Sequence, residues 1–361
     1  MSVVASAQPR PALRPALLLR RLPLFITIAA VVFTLVWVLF WAPKTNFGPA
    51  IKDPTDFFRT VLDSLTFAGV LFVVASGFSL IFGLMRVVNM AHGSFYLLGG
   101  YIAFDLQQRF AGGSGGFALQ SSQVAMWQWV VPAILAAGCI AVVGLVMQQS
   151  MLRWNQGQDL RQALITIAVA IILADQMLAH WPLQESITWP GTLDRFVNVF
   201  GIPYSLARLF MLAIGVVIGL ALWIWLNKTR TGMVIRAGVD DRHMVSALGV
   251  NIQRTFAIAF LVGAALAGFG GAMGGAQFNL APGTDGQWLL NSLIVVIIGG
   301  MGSLGGAAVG ALLYAFVFNF SAIYLPTTSD NCCTQYAVVF TFALLAIVLA
   351  LRPLGLFGRP A

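Results

Sequence analysis

The sequence predicts an all-α polytopic membrane protein of about ten transmembrane or re-entrant helices, with both termini on the cytoplasmic side. Three observations predict it. Hydrophobic residues make up 59% of the 361-residue chain and charged residues only 9%, far below the roughly one quarter usual in soluble domains. Apolar runs of the length a bilayer requires, about 20 residues, recur along the chain. The basic residues behind the net charge of +8 sit in short loops between those runs, which is how a membrane protein records its orientation. That placement argues against a nucleic-acid surface.

The runs fall at 22–41, 60–83, 87–104, 127–152, 162–181, 206–227, 255–277, 289–301, 303–325 and 336–351. Residues 1–21 form a basic segment with Arg10, Arg14, Arg20 and Arg21. The run that follows is long for a signal peptide and lacks a small-x-small cleavage site, so it reads as an uncleaved first span. The 87–104 run carries Asn89, His92 and several glycines, and the short 289–301 run ends in Gly299, Gly300 and Gly302. Both read as broken or re-entrant helices, whose freed backbone groups need protein or water around them. The two breaks occupy loosely corresponding places in the two halves of the chain, but the residues do not establish a repeat.

Charge sets the orientation. The N-terminus, the loops around Arg86, 153–161 and 228–254, and a tail at 352–361 holding Arg352 and Arg359 are basic. The loops at 277–288 and 326–335 contain no Lys or Arg. Ten crossings put every clearly basic loop in the cytoplasm. The transmembrane unit is then 22–351, with 228–254 its longest cytoplasmic loop. Asp240 or Asp241 can cap a short helix there and Gly249 can end it. Met244, Val245, Ala247 and Leu248 share one face of that helix. From the residues alone it is a helix on the lipid surface, a plain linker or a docking element.

Cys139, inside an apolar run, reads as a small core residue. Cys332 and Cys333 are adjacent, match no CxxC spacing, and have only His92, His180 and His243 as distant partners. No metal site is expected. Trp37, Trp41, Trp127, Trp129, Trp181, Trp189, Trp223 and Trp225 cluster near span ends and read as interface anchors.

Four stretches together resemble the permease subunits of branched-chain amino-acid-type (LivH-like) ABC importers. They are the segment around Asn89-Met90-Ala91-His92-Gly93 and on to Gly99-Gly100-Tyr101; Thr166 through Leu173; Thr229-Arg230-Thr231-Gly232 through Arg236-Ala237 and Asp241 to Ala247-Leu248-Gly249; and Gly299-Gly300-Met301-Gly302-Ser303 through Gly310. Met90 stands where the family has Phe, Gly100 where it has Ala, and Ala168 and Ala170 where it has Gly and Ser. The resemblance covers most of 60–351. It implies a type II-like importer permease in the bacterial inner membrane. Its partners would be ABC ATPase subunits, a second permease subunit, homologous or identical, and a periplasmic substrate-binding protein. No cofactor is expected on this chain, and no nucleic acid. ATP is used by the partner subunit, because the chain has no Gly-x-x-x-x-Gly-Lys-Ser/Thr to cradle its phosphates.

The resemblance makes 228–254 the coupling element, carried by Arg230, Gly232, Arg236, Ala237, Asp241, Met244, Ala247, Leu248 and Gly249. Its apolar face would dock on the ATPase and its arginines would tune that docking. The solute would be a branched-chain or other amino acid, urea or a short amide. The candidate pathway residues are Asn89, His92, Thr166, Asp175 and Ser303. Polar groups inside spans are costly unless they face a cavity or a partner, and Asn89, His92 and Asp175 also read as hydrogen bonds that only hold the fold. Asp63 is placed near a membrane interface, and Asp175 deeper. The glycines at 263, 268, 270, 271, 274 and 275 read as close helix packing. The rivals are an ion-coupled secondary transporter, a membrane enzyme and a passive channel. The first would need mid-membrane carboxylates beyond Asp175. The second would need a convergent acid, base or nucleophile that three histidines do not supply. The third would carry downhill flux with no partner.

Overall fold

The computed structural model describes residues 54–85, 88–112, 124–155, 157–199, 201–240, 242–324 and 333–358. The expected basic segment 1–21, the first span 22–41, Arg86, Asp241, Cys332 and Arg359 lie outside the described residues, as do Trp37 and Trp41. The helices are α1 (Pro54–Met85), α2 (His92–Phe110), α3 (Trp127–Met147), α4 (Asp159–His180), α5 (Leu206–Lys228), α6 (Arg230–Asp240), α7 (Arg242–Ala247), α8 (Ile252–Gln277), α9 (Asp285–Gly299), α10 (Leu304–Tyr324) and α11 (Cys333–Leu351). Each expected run from 60–83 onward coincides with a helix. Six of them, α1, α3, α4, α5, α8 and α10, are long and apolar enough to cross a membrane, while α9 and the apolar part of α11 are shorter.

The all-α expectation needs one correction. Strands β1 (Phe196–Val199) and β2 (Ile202–Ser205) pair antiparallel between α4 and α5. Gly201, at φ +85°, supplies the left-handed residue that such a tight hairpin requires, and the alternating residues around it suit a ribbon.

Helices α1 and α8 form the centre. Helix α8 packs on α1, α2 and α3, while α1 also carries α5 and α10. What lets them meet is the absence of side chains. A Cβ on Gly77 would lie 2.5 Å from the carbonyl oxygen of Gly263, and one on Gly263 would lie 2.7 Å from that of Gly77. Gly99 on α2 abuts the backbone of Gly268, and Gly271 abuts Tyr96. In lipid no hydrophobic force drives helices together, so backbone-to-backbone van der Waals contact between small residues does.

The outer layer differs. Helix α4 touches α2 but leaves Leu164, Ile171, Ile172 and Leu178 exposed. Cys139 of α3 is also exposed, which corrects its reading as a core residue. It lies on the face of α3 turned from the bundle, where a thiol behaves like any small apolar group. The tryptophans divide too. Trp127 and Trp223 are exposed near helix ends as anchors would be. In contrast, Trp129 is buried and stacks on Trp189 at 5.5 Å. Trp181 stacks flat on Tyr101 at 4.8 Å.

Asp63 and Arg208 pair across α1 and α5, and Tyr204 donates to the same carboxylate at 2.8 Å. Burial, with the neighbouring Asp63 charge, pushes the Tyr204 hydroxyl up to about 12.

Candidate substrate pathway and coupling segment

After Met85 the chain turns back into the bundle, and α2 starts beside Val74, eleven residues before the end of α1. At 1.5 Å per residue that is about 16 Å along the helix. Asn89 makes the turn. Its Oδ1 accepts from Ala91 N at 3.1 Å, and His92 N donates to Asn89 O at 3.2 Å. A short polar side chain bonding the backbone two residues on is an Asx turn, which holds such a reversal. His92 Nε2 bonds the Val74 carbonyl at 3.0 Å. A carbonyl only accepts, so Nε2 carries the proton and Nδ1 keeps a lone pair. Thr166 of α4 reaches the same place. Its Oγ1 accepts from Met90 N at 3.2 Å and donates to Ala163 O at 2.9 Å. Asn89, His92 and Thr166 are thus brought together, all buried. The Asn89 Nδ2 and His92 Nδ1 atoms have no hydrogen-bond partner among the described residues.

Asp175 and Ser303 stand apart from this cluster. Asp175 is exposed on α4. Ser303 caps α10, its hydroxyl accepting from Gly306 N at 3.0 Å, which is the ordinary work of a serine at a helix start. Its neighbour Gly302 lies against Gly83, nine residues further along α1 than Val74.

Sequence reasoning missed a second set of residues beside the break. Ser94 donates to Asp285 Oδ2 at 3.0 Å, so the first turn of α2 meets the first residue of α9. Tyr96 stacks on Trp288 at 4.2 Å. Farther along α2, Asp105 accepts from Trp181 Nε1 at 3.1 Å. Glu185 forms a two-bond bridge with Leu280, at 2.8 and 2.7 Å. Asn279, at φ 60°, turns the chain after α8 so that this bridge can form. Burial, then the nearby Asp105, holds the Glu185 carboxyl above the usual carboxylate range. The available sequence signal was the i, i+7, i+11 spacing of Ser94, Tyr101 and Asp105 on one face of α2.

At the opposite end lies the 228–254 segment. It is two helices, where the sequence suggested one. Helix α6 wedges into the bundle: Val239 touches Gly83 and Gly302, and Gly238 faces Leu84. A small cavity beside it is lined by Ser76, Ser79, Ile235, Arg236, Val239 and Gly302. Arg236 donates to Asn227 Oδ1 at 2.6 Å. Gly232 sits on the backbone of Trp225 and Leu226, closing the α5–α6 corner. Helix α7 ends in a Schellman pattern. Gly249, at φ +80°, donates to Ser246 O at 3.0 Å, and Val250 donates to Val245 O at 3.4 Å. Val245 is buried, while Met244 and Leu248 are 61% and 76% exposed. Ala247 is exposed as well, as are Arg230 and Ala237. The C-terminal segment meets this end: Leu356 N and Phe357 N donate to Ile298 O and Gly299 O, both at 2.9 Å. They satisfy carbonyls that the end of α9 would otherwise leave free.

Among the described residues no group of His, Cys, Asp and Glu is placed to hold a metal ion.

Known proteins resemble this chain over most of its length. The permease protein BraD of Pseudomonas aeruginosa, from a high-affinity branched-chain amino acid transport system, is 28% identical over 312 residues, covering 84% of this chain and 96% of BraD. The LivH permease protein of Salmonella typhimurium is 26% identical over 323 residues, with the same coverage. A probable LivH of Methanocaldococcus jannaschii is 22% identical over 304 residues, covering 82% and 90%. A solved structure of PsaBC from Streptococcus pneumoniae in complex with Fab aligns with a TM-score of 0.43 at 12% identity, over 82% of this chain and 93% of that one. The sequence profile described as branched-chain amino acid transport system / permease component matches residues 60–349, and the chain belongs to that family.

Proposed function

We propose that this chain is the membrane-spanning permease subunit of an ABC importer, moving a small zwitterionic solute of the branched-chain amino-acid kind. Urea or a short amide is the alternative cargo. A periplasmic binding protein delivers the solute, a second permease completes the channel, and separate ATPase subunits drive it. The family match over 60–349 supports the class. The observation that carries the mechanism is the wedge of α6. One short helix touches the end of α1 at Gly83 and Leu84 and the α9–α10 break at Gly302, while the next helix presents Met244 and Leu248 outward. An ATPase gripping α7 thereby pulls on two points of the bundle at once, as a rigid-body transition needs. The tail packs at the same end as α6, in keeping with a cytoplasmic C-terminus.

The solute path in this reading runs past Ser94 and Asp285 to the Asn89, His92 and Thr166 cluster. Two unpartnered buried nitrogens there offer a lone pair and an N–H to a passing polar group. Ser303 caps α10 and Asp175 lies outside this path.

The test is ATP-driven uptake by the reconstituted importer. Met244→Asp with Leu248→Asp places two charges on the docking face. Uptake is expected to fall at least about tenfold, with binding-protein affinity for solute unchanged. Normal uptake would place the coupling contact elsewhere. Accumulation without ATP would overturn the importer reading in favour of an ion-coupled transporter.

A further inference from the structure

Helix α4 carries polar groups on two opposite faces, and only one of them meets the bundle. Gln162, Thr166 and Met177 are buried, and Thr166 bonds the helix break. Asp175 follows Thr166 by nine residues, about two and a half turns, so it stands on the opposite side of the helix. Leu164, Ala168, Ile171 and Leu178 share that side and are exposed, as Asp175 is. No hydrogen bond or ion pair reaches Asp175 from the described residues.

The depth of Asp175 makes this notable. It lies fourteen residues beyond Arg161 and five before His180, or about 21 Å and about 8 Å along the helix. With Arg161 at one interface, a hydrocarbon core about 30 Å thick encloses it. A carboxyl group there, charged or not, needs a hydrogen-bonding partner, and lipid tails offer none. The other rim helices differ. Helices α3, α10 and α11 contain no Asp, Glu, Lys or Arg, and α5 has only Arg208 and Lys228, near its ends. Outward residues such as Val216, Val217 and Leu220 of α5 are what lipid accepts. Spacing adds a second argument. Leu164, Ala168, Ile171, Asp175 and Leu178 are separated by four, three, four and three residues. That is the heptad spacing of a helix-helix seam, in which a single polar position fixes register.

We propose that this face of α4 is the seam with the second permease subunit, whose adjoining helix supplies a hydrogen bond to Asp175 inside the bilayer. The binding protein and the ATPases work in water on either side and do not reach that depth, which leaves a membrane-embedded partner. Leu164, Ile171 and Leu178 pack as knobs against the adjoining helix, and the small Ala168 lets it come close. Asp175 sets the register of the two subunits, because sliding one helix past the other would strand its carboxyl group in hydrocarbon. The solute path and the seam then use opposite faces of one helix. This rests on the permease reading, which supplies the second subunit.

The experiment uses the assembled importer in nanodiscs, with the photo-crosslinker p-benzoylphenylalanine placed at Ile171 and, as a control, at Leu220. After irradiation, mass spectrometry identifies what each position has captured. Ile171 is expected to capture the second permease subunit, and Leu220 lipid. Capture of lipid alone at Ile171, capture of this chain's own residues 22–41 in an adduct of single-chain mass, or equal capture of the second subunit from both positions overturns the seam. A second measurement follows dissociation of the two permeases on dilution in detergent. Asp175→Leu should raise the dissociation constant about tenfold, the effect of one hydrogen bond between membrane helices, with the melting temperature of the isolated chain unchanged. Asp175→Asn keeps a donor and an acceptor and should stay within about twofold of the unsubstituted chain. Dissociation unaltered by Asp175→Leu, or an equal loss in both variants, overturns the role of Asp175. ATP-driven uptake on the same preparation keeps the two claims apart. Uptake without capture at Ile171 removes only the seam, and absent uptake removes the permease reading beneath it.

Discussion

Helices α8 and α4 are equally apolar and of similar length, yet they have opposite fates. Buried residues make up 72% of the membrane-crossing stretch of α8 and 11% of that of α4. Hydropathy says that both belong in lipid, but it does not say which one belongs in the centre. The difference lies in side-chain size. Helix α8 holds Gly263, Gly268, Gly270, Gly271, Gly274 and Gly275, and α4 holds no glycine. A helix with a bare stripe can be approached on several sides, so three neighbours close around it. A helix clothed in leucine and isoleucine packs no better on protein than on lipid chains, and it stays at the rim.

The sharpest way to break this comparison is to clothe the stripe. A Cβ at Gly271 would run into the Tyr96 carbonyl and stand 2.8 Å from Gly100 N. Both are backbone atoms, which cannot rotate aside. Gly271→Val is expected to cost more than about 4 kcal/mol, read as loss of monodisperse protein on size-exclusion chromatography in detergent. A folded variant with an unchanged melting temperature would show that α8 is not central.

The same contrast explains what could be read in advance. The apolar runs were legible because lipid demands them, and the breaks because Asn89, His92 and the 299–306 glycines are out of place in a span. The small residues of α8 announced close packing, though not which partners they meet. Other features depend on pairs distant in sequence. Asp285 becomes notable only beside Ser94, and Tyr101 only beside Trp181. Asp175 looked functional because depth along a helix was legible and the direction of its side chain was not. Helix α6 was hidden because a polar, glycine-bearing stretch such as Arg230–Asp240 has weak helix propensity. Its helicity comes with its packing against α1, α5 and α8.

Between the extremes stands α5, 22% buried along its membrane-crossing stretch and tied to α1 at two points. Gly215 meets Gly69 backbone to backbone, and Arg208 pairs with Asp63. The pair is partly solvent-accessible, so screening limits its worth. Tyr204 adds a hydrogen bond to the same carboxylate. Asp63→Ala is expected to destabilise by about 1 to 2 kcal/mol, seen as a lower melting temperature in detergent. The loss should shrink in high salt, because part of it is Coulombic. A salt-independent loss would mean that Asp63 acts through packing alone.

The smallest expected effect sharpens the comparison most. Ile171 lies on the outer face of α4 and is 64% exposed. In a protein core, trimming isoleucine to alanine costs about 2 to 5 kcal/mol, because a cavity remains. Facing detergent or lipid, the space fills with hydrocarbon as apolar as the methyls removed, and no cavity forms. Ile171→Ala in the isolated chain should therefore shift stability by no more than about 0.5 kcal/mol. Repeating the measurement on the assembled importer turns this near-zero value into a probe. A loss that emerges only on assembly means another chain covers α4, and the rim of one subunit is then the seam between two. A core-sized loss in the isolated chain would instead show that bare stripes alone do not decide which helices pack inside.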